Sequence, residues 1–457
     1  MSDNQRLHSE ELAAFVAGYP YESIPQSVLR ENRRRILDTL GVAIGAREAR
    51  PVEILLELTH ELGGNPQAGV PGHDLKTSVT NAARLFGVMS HVLDFDDTHL
   101  PTILHPSGPT LAAALPLAEY QETSGRDLLA AFTFGVEAGC RTALALGSAH
   151  YDVGWHVTGT AGTVAASAAC ARLLGLDERA THNALSIAAT GAAGQRVQFG
   201  AMTKSLHTGN AAANGVLAAL LAGYGYTASR EGFEGTRGLL NVASTGPYPE
   251  ELSDALGERW ETFRVGIKPY SCGVVTHPAI DAVRALARST GAPAGEVEWI
   301  ELGVHPLVME LTNKREPRTG LEGKFSIAFA GAISWIEGTA RHKQFTDEKV
   351  NRLDVKELRD RILVVEDRSL GQTEAKATVT FDSGETSTEH VRHATGTPEN
   401  PISDEELREK FADLVEPELG EGAARRVISL VDGLPQSDSL QPLLDVLAPA
   451  VDVSRKR

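Results

Sequence analysis

The sequence predicts a mostly α-helical protein, in which a large helical domain is interrupted by a smaller α+β domain. Apolar residues recur with the helical period through most of the first 267 residues. Beyond Lys268, segments that alternate like strands are mixed with short helical patterns up to about residue 400. A helical pattern then returns, so we predict helical residues 1–267, an α+β domain at 268–400, and a second helical part at 401–457.

The composition agrees with closely packed helices. Of the 457 residues, 42% are apolar and only 5% are aromatic, while glycine occurs 44 times. Small side chains let helix backbones approach each other, and the length is sufficient for two or three domains with cores of their own.

Net charge and cysteine content exclude several classes of protein. The formal charge of −17 argues against a general nucleic-acid or anionic-membrane binder, because both need a basic surface. An acidic substrate stays possible if its pocket is locally basic. Cys140, Cys170 and Cys272 are odd in number and widely spaced, which predicts no disulfide framework and a cytoplasmic protein. The polar N-terminus leads into no secretory segment. The uncharged run Ser205–Ser229 is rich in small residues, so we interpret it as a buried helix and expect no membrane partner.

Helices are predicted in order along the first part. The clearest, at 25–44, places Val28, Ile36 and Leu40 on one face and has Pro25 near its start. A Gly- and Pro-rich connection at 63–77 precedes a helix that ends near Asp94. The other predicted helices of this part are 9–19, 108–120, 126–147, 159–175, 178–193 and 210–223.

The α+β part has its own pattern. Residues 375–381 and 386–391 alternate around an Asp-Ser-Gly-Glu turn and predict a hairpin. Further strands are predicted at 297–304 and 361–366, and helices at 278–288, 324–338 and 347–359. After a linker, Ser403 and Glu406 form a capping box that begins the helical return.

The stretch from His91 to Ser107 is unusually rich in titratable groups. It holds three aspartates and three histidines where a helical pattern gives way to a loop. The upstream pattern puts Asp94 on the inner stripe of that helix, with Thr98 one turn further. Polar groups on an inner stripe are costly unless they are paired or functional, so this stretch is a candidate site.

Three more runs combine His or Lys with a predicted helix start. His156 precedes a helix of small residues, Lys204 and His207 lie just ahead of the uncharged helix, and Lys268 to His277 precede another. Helix N-termini favour anions and disfavour imidazolium, so His156 and His277 would be neutral bases and Lys204 would bind a carboxylate. Together they predict a pocket for a small polyanion with acid and base groups.

Other interpretations of the same residues stay open. A single histidine before a helix is often a cap, and Asp96 and Asp97 could simply support the loop. Asp94, Asp96 and Asp97 are also similar to the acid motif of terpene-type cyclases or to a metal-binding carboxylate cluster. A cyclase needs aromatic walls, and a metal site needs more carboxylates, so we expect no metal.

With these four runs the chain resembles the MmgE/PrpD family, which includes 2-methylcitrate dehydratases, cis-aconitate decarboxylases and iminodisuccinate epimerases. The resemblance covers essentially the whole length. It depends on the motifs His91-x-x-Asp-Phe-Asp-Asp-Thr, His105-Pro-Ser, Gly154-Trp-His-x-Thr-Gly-Thr, Lys204-x-x-His-x-Gly-x-Ala-Ala and Lys268-x-Tyr-x-x-Cys with His277.

The resemblance implies a large all-helical domain made from both chain ends, an inserted α+β lid domain, and a homodimer without an organic cofactor. Active sites of the family lie between the two domains. Matching positions imply Asp94, His105, His156, Lys204 and His277 as catalytic residues. They also imply Thr98, His207, Lys268 and Tyr270 as substrate-binding residues.

One position departs from the family. The segment Lys324–Phe329 resembles one that, in cis-aconitate decarboxylase-like members, is expected to end in a tyrosine that reaches the active site. This chain has Phe329 there, so a hydroxyl used by those relatives is missing or supplied otherwise.

The leading hypothesis is a cofactor-independent lyase, either a dehydratase or a decarboxylase, that acts on a small di- or tricarboxylate. Lys204 and His277 would hold carboxylates while His105 or His156 moves the proton, with Asp94 and Thr98 orienting them. An epimerase of an iminodisuccinate-like dicarboxylate uses the same proton chemistry and is the first alternative. A carboxylate-binding protein without catalysis is the second.

Overall fold

The computed structural model describes residues 6–448 and divides the chain into two compact units. The first unit contains the chain up to Val92, Asp96–Gly266, and the chain from Ser403 onward. The second contains Leu93–Phe95 and Ile267–Ile402. Helices dominate and the sheets are small, which confirms the predicted fold class of a mostly α protein with a smaller α+β region.

The first unit is a helical bundle with two small two-stranded sheets, β1–β2 and β3–β4. Its elements are α1 (His8–Gly18), α2 (Gln26–Gly45), α3 (Arg50–Leu62), β1 (Ala68–Val70), β2 (His73–Thr77), α4 (Val79–Val92), β3 (Thr98–His99), α5 (Ser107–Tyr120), α6 (Gly125–Asp152), α7 (Val157–Leu173), α8 (Glu178–Thr190), α9 (Thr203–Gly223), α10 (Leu239–Ala243), β4 (Val265–Gly266), α17 (Asp404–Leu419), α18 (Glu421–Asp432) and α19 (Gln441–Leu447).

The second unit is built on a four-stranded sheet of order β6-β5-β7-β8, in which β5 pairs parallel with β6 and antiparallel with β7. Helices α11 and α14 pack against this sheet around an apolar core. Its elements are α11 (His277–Thr290), β5 (Val297–Val304), α12 (Pro306–Thr312), α13 (Gly320–Gly323), α14 (Ile327–Glu337), α15 (Asp347–Asn351), α16 (Leu353–Arg359), β6 (Ile362–Glu366), β7 (Ala375–Phe381) and β8 (Thr386–Val391).

Glycine brings the central helices of the first unit into backbone contact. A Cβ added to Gly87 of α4 would lie 2.7 Å from the Cα of Gly209 in α9. A Cβ on Gly215 of α9 would lie 2.3 Å from the Cβ of Ala166 in α7. Neither position has room for a larger side chain, as the small-residue composition predicted.

Several elements differ from the prediction. Helix α3 and the β1–β2 hairpin were not predicted. The hairpin lies in the Gly- and Pro-rich segment 63–77, where the strands are short and their register shifts between Gly69 and Val70. Helix α9 begins at Thr203 rather than 210, so Lys204 and His207 lie inside the helix and not ahead of it. The helix predicted at 347–359 is two short helices, α15 and α16.

One helix of the described residues, α6, is long and apolar enough to cross a membrane. Within its apolar window, 94% of the residues are buried inside the fold, which is the burial of a core helix. The uncharged run that begins at Ser205 is, as predicted, a helix packed among others: α9 lies against α4, α7 and α8.

All three cysteines are buried and free of disulfides. Cys140 lies in α6 and Cys170 in α7, both in the first unit, while Cys272 precedes α11 in the second. Burial raises the pKa of each thiol, that of Cys272 to about 12.

Candidate active site

Four helix ends of the first unit meet at a cluster of histidines. His91 lies in the last turn of α4, His105 two residues before α5, His156 at the N-cap of α7, and His207 near the start of α9. The ring centroids of His91 and His105 are 4.9 Å apart, those of His91 and His156 5.6 Å, and those of His156 and His207 5.2 Å. All four are buried. We call these four residues the histidine cluster.

Hydrogen bonding determines which nitrogen of His105 carries a proton. Its Nδ1 lies 2.7 Å from the backbone carbonyl oxygen of Asp97, which can only accept. Nδ1 therefore donates, with Thr98 Oγ1 at 3.3 Å as a weaker neighbour. Proton exchange with a bound molecule is then left to Nε2 of His105.

His91 is tied to Asp96. Its Nδ1 lies 2.7 Å from Asp96 Oδ2, and that same oxygen is 3.6 Å from Nδ1 of His105. His91 Nε2 is buried and has no hydrogen-bond partner among the described residues. A buried imidazole nitrogen without a partner is unfavourable, so this arrangement is typical of a functional site.

His156 and His207 share a hydrogen bond between their Nδ1 atoms, which are 3.0 Å apart. One of the two must donate and the other accept, so the pair holds a single proton at this contact. Burial lowers the pKa of His156 well below its usual value, and the nearby His91, Lys204, His105 and His207 lower it further. Burial likewise lowers the pKa of His207 to about 4. His156 is therefore neutral, as expected, with burial as the largest cause.

Lys204 provides a positive charge next to these neutral rings. It is buried in the first turn of α9, with Nζ 5.3 Å from the ring centroid of Phe199. The same ring meets His156 edge-on at 5.1 Å. Three helices begin at this cluster, and their N-terminal N–H groups and dipoles also favour an anion. The arrangement can bind a carboxylate and exchange a proton with its neighbouring carbon.

Asp97 supports the loop that carries His105. Its carboxylate accepts from the hydroxyl of Ser107 at 2.5 Å, and Arg35 Nε lies 3.9 Å from it. Burial raises the pKa of Asp97 to about 7, although Arg35 and the Ser107 hydrogen bond oppose this. Asp97 makes its contacts with the loop and with α2, which is the supporting role predicted for it.

Asp94 lies in the second unit and is not on the helix stripe where it was predicted. Helix α4 ends at Val92, and Asp94 has a left-handed backbone with φ of 51°. Aspartate tolerates this conformation better than most residues because its short side chain can bond locally. Lys268 Nζ holds it, at 2.6 Å from its carboxylate and 3.2 Å from its carbonyl oxygen.

Two further side chains of the second unit hold the residue before Asp94. Ser271 Oγ and Lys324 Nζ both donate to the carbonyl oxygen of Leu93. Lys324 is buried, and no role was predicted for it. It lies between α13 and α14, where no periodic pattern would have indicated a role.

Tyr270 and His277 lie next to each other in the second unit, with ring centroids 5.2 Å apart. The Tyr270 hydroxyl donates to Asp281 and accepts from Arg284, so it is already engaged within the unit. His277 is the first residue of α11, one residue before the predicted helix start, and its Nε2 is 3.3 Å from the carbonyl oxygen of Cys272. The substrate roles of both stay predictions.

Phe329 is a core residue of the second unit. It is fully buried in α14 and meets Phe345 edge-on at 5.6 Å. Its ring therefore contributes apolar packing at the position where some relatives are expected to have a tyrosine.

His91, Asp96 and His105 have ligand atoms within 4.8 Å of one another, a spacing that could hold a metal ion. In this arrangement the Nδ1 atoms of both histidines serve as hydrogen-bond donors, to Asp96 and to the Asp97 carbonyl. A nitrogen that carries a proton has no lone pair for a metal, so in this arrangement only the Nε2 atoms of the two histidines could bind one. The absence of a metal stays a prediction.

The structure thus brings His105, His156, Lys204 and His207 together in the first unit, with Thr98 beside His105. Asp94, Lys268, Tyr270 and His277 lie in the second unit. His91 begins one of the family motifs, but the sequence predicted no role for it. The available signal was its spacing of four residues from Gly87 on the buried face of α4.

Comparison with known proteins matches most of the chain. A family model of the MmgE/PrpD N-terminal domain matches residues 10–252, and one of the MmgE/PrpD C-terminal domain matches residues 270–436. A cis-aconitate decarboxylase of Aspergillus terreus is 28% identical over 96% of this chain and 95% of its own. Those of Mus musculus and Homo sapiens are each 27% identical over 96% of this chain, and over 93% and 94% of their own.

Proposed function

The chain belongs to the MmgE/PrpD family, and from this premise we propose that it is a lyase that acts on a small tricarboxylate by proton transfer next to a carboxylate. The finer proposal is decarboxylation without an organic cofactor. It is supported by the relatives named as cis-aconitate decarboxylases, each of which aligns over nearly the whole chain.

The observation that carries the proposal is the histidine cluster with Lys204 at the start of three helices. A buried ammonium group and helix N-termini attract a carboxylate, and they do so without water to weaken the attraction. The adjacent imidazoles include a neutral base, His156, and a ring with a defined exchangeable nitrogen, His105. This combination suits proton transfer beside a carboxylate.

The proposed reaction balances with these groups alone. The bond between carbon and one carboxylate breaks, CO₂ leaves, and the electron pair stays on the substrate, delocalised toward a neighbouring carboxylate. Lys204 stabilises that charge, and an imidazolium N–H then delivers a proton to carbon. Dehydration would instead remove a proton from carbon and donate one to the departing hydroxyl, with the same two kinds of group.

A single experiment separates these reactions. The purified protein is incubated in D₂O with cis-aconitate, citrate-type acids and iminodisuccinate, each followed by NMR. Loss of a carboxylate carbon with deuterium incorporated at carbon supports decarboxylation. A new alkene without loss of carbon identifies dehydration, and deuterium uptake alone identifies the epimerase. Binding of an acid, detected as thermal stabilisation, with no change in any of them would contradict the lyase and favour a non-catalytic binder.

Removing either ring should abolish most of the rate. General acid–base catalysis contributes about 10²–10⁴-fold, so His105→Gln and His156→Gln should each lower kcat by roughly that factor. The measurement is turnover of the acid identified by NMR.

The matched control is His182→Gln. His182 is also a buried histidine of the first unit, and it contacts Ser9 rather than the histidine cluster. It should keep near-normal kcat in folded protein. Near-normal turnover in both cluster variants would rule out the assignment.

A further inference from the structure

We propose that Asp96, held by His91, is a positioning residue that keeps His105 the protonated member of the histidine cluster, so that His105 donates the proton. This inference rests on the proposed function for its chemistry. The charge of His105 is a property of the protein without substrate and can be measured there. The inference assigns roles to His91 and Asp96, which neither the motif comparison nor the family match provides.

The first step is the placement of the charge. Asp96 is fully buried, and its Oδ2 lies 2.7 Å from His91 Nδ1 and 3.6 Å from His105 Nδ1. The second distance is too long for a hydrogen bond, so the carboxylate acts on His105 through its charge. An opposite charge within about 4–6 Å favours the charged form of a titratable group, and burial strengthens this attraction.

The second step is that the strongest effects on His156 among the described residues do not come from an anion. After burial, they come from His91, Lys204, His105 and His207, all of which oppose a positive charge on its ring. Asp97, the other carboxylate near His105, is hydrogen-bonded to Ser107 and lies 3.9 Å from Arg35. Asp38 acts on Asp97 as well and is itself paired with Lys410 at 2.6 Å.

The third step accounts for both protons of a cationic His105. Nδ1–H donates to the Asp97 carbonyl oxygen at 2.7 Å, which also fixes the orientation of the ring. Nε2–H is then the proton available to the substrate carbon. After donation His105 is neutral with its lone pair on Nε2, and a proton from solvent restores the imidazolium.

The fourth step is the function of His91. Its Nδ1 donates to Asp96, which fixes the carboxylate, and the ring lies near both His105 and His156. Through this hydrogen bond, His91 holds Asp96 Oδ2 in its place beside His105. A residue that only filled space here would not need to bury an imidazole nitrogen without a described partner.

The pH dependence of activity tests the proposal. If the reaction needs protonated His105, activity falls as pH rises through the pKa of that ring, which forms the alkaline limb of the profile. Asp96→Asn removes the negative charge and so lowers the pKa of His105. We expect the alkaline limb of kcat/KM to move to lower pH by about one unit or more. An unmoved limb in folded Asp96→Asn overturns the proposal.

Glu261→Gln is the matched control. Glu261 is also a fully buried carboxylate of the first unit that contacts a histidine, with Oε2 3.1 Å from His99 Nε2. It does not belong to the histidine cluster. Its variant should keep the alkaline limb in place even if its thermal stability falls, and a shift equal to that of Asp96→Asn would contradict a specific role for Asp96.

His91 is tested by a conservative pair of variants. The amide nitrogen of an asparagine can replace an imidazole Nδ1 as donor, so His91→Asn should keep much of the wild-type pH profile. His91→Leu cannot donate to Asp96, so its alkaline limb should move in the direction seen for Asp96→Asn. Equal profiles for the two variants would rule out positioning through the hydrogen bond.

A measurement without substrate distinguishes failure of this inference from failure of the proposed function. In protein with ¹⁵N-labelled histidine, the His105 ring resonances, assigned with His105→Gln, give its pKa directly. We expect a higher pKa for His105 than for His156, and a lower one in His91→Leu than in wild type. The opposite order overturns the inference even if Asp96→Asn does not fold. The expected order without turnover of any acid would overturn only the proposed function.

Discussion

Arg141 shows how much structure one side chain can hold in this protein. It is fully buried in α6, with Nε 2.7 Å from Glu137 Oε1. Its other nitrogens donate to the backbone carbonyl oxygens of Asp254 at 2.6 Å and Arg259 at 2.8 Å. The planar fork of arginine reaches all of these groups at once, which a lysine ammonium cannot do.

We therefore expect Arg141→Lys to lower the free energy of unfolding by about 2–4 kcal/mol, because each buried carbonyl left without a donor costs about 1–3 kcal/mol. Equilibrium unfolding in urea measures the change. Arg126→Lys is the control: that arginine pairs with Glu22 at an exposed site and should change stability by less than about 0.5 kcal/mol. Equal losses in both variants would contradict this account.

Residue identities were easier to predict than residue geometry. The sequence indicated His105, His156, Lys204 and His207 because titratable groups stood out among small apolar residues at predicted helix ends. It could not indicate the left-handed backbone of Asp94, since the residue that binds Asp94, Lys268, lies far along the chain. The position of Asp96 Oδ2 near both His91 and His105 likewise depends on the conformation of the loop, which the sequence does not reveal.

At the scale of elements, the pairing of α4 with α9 fixes the distance between two sides of the histidine cluster. Gly87 and Gly209 face each other there, and α4 ends at the cluster where α9 begins. A methyl group on Gly87 would also lie 2.9 Å from the carbonyl oxygen of Thr208. Both neighbours are backbone atoms, so the clash can be relieved only by moving a helix.

Gly87→Ala should therefore destabilise the fold by about 1–3 kcal/mol, as overpacking of a core does, and lower kcat by shifting His91 relative to His207. Thermal unfolding and turnover are the measurements. Gly18→Ala provides the control, because nothing lies within 4 Å of a Cβ at this end of α1. That variant should be neutral or more stable. Destabilisation by Gly18→Ala alone would contradict the packing argument.

Long periodic helices and the hairpin β7–β8 were predicted nearly to the residue, since each has a strong pattern and a turn or capping signal. The start of α9 was placed too late because Thr203–Asn210 is polar. In the structure this polar segment is the first part of the helix, and it carries Lys204 and His207 of the site. The β1–β2 hairpin was missed because its strands are short, and local pattern is weakest where tertiary contacts decide the conformation. Helix α3 was missed although its amphipathic pattern is clear.

For the whole molecule, the homodimer implied by the family resemblance stays a prediction. The first unit exposes Tyr226 and Val242, which are 61% and 70% accessible and line one cavity of about 990 Å³. Exposed apolar patches of this kind often mark protein–protein interfaces. A double variant, Tyr226→Asp with Val242→Asp, should shift a dimer toward monomer in light scattering. Leu353→Ser in the second unit, also highly exposed, should not. A monomeric wild type would refute the expectation.

The reactivity of the three buried thiols can report local unfolding of this protein. An alkylating reagent reacts with a thiolate, so Cys140, Cys170 and Cys272 become labelled only when the surrounding structure opens. Two of the reporters lie in the first unit and one in the second. Labelling rates read by mass spectrometry would therefore measure the opening free energy of each unit separately, in the intact protein and without any introduced probe.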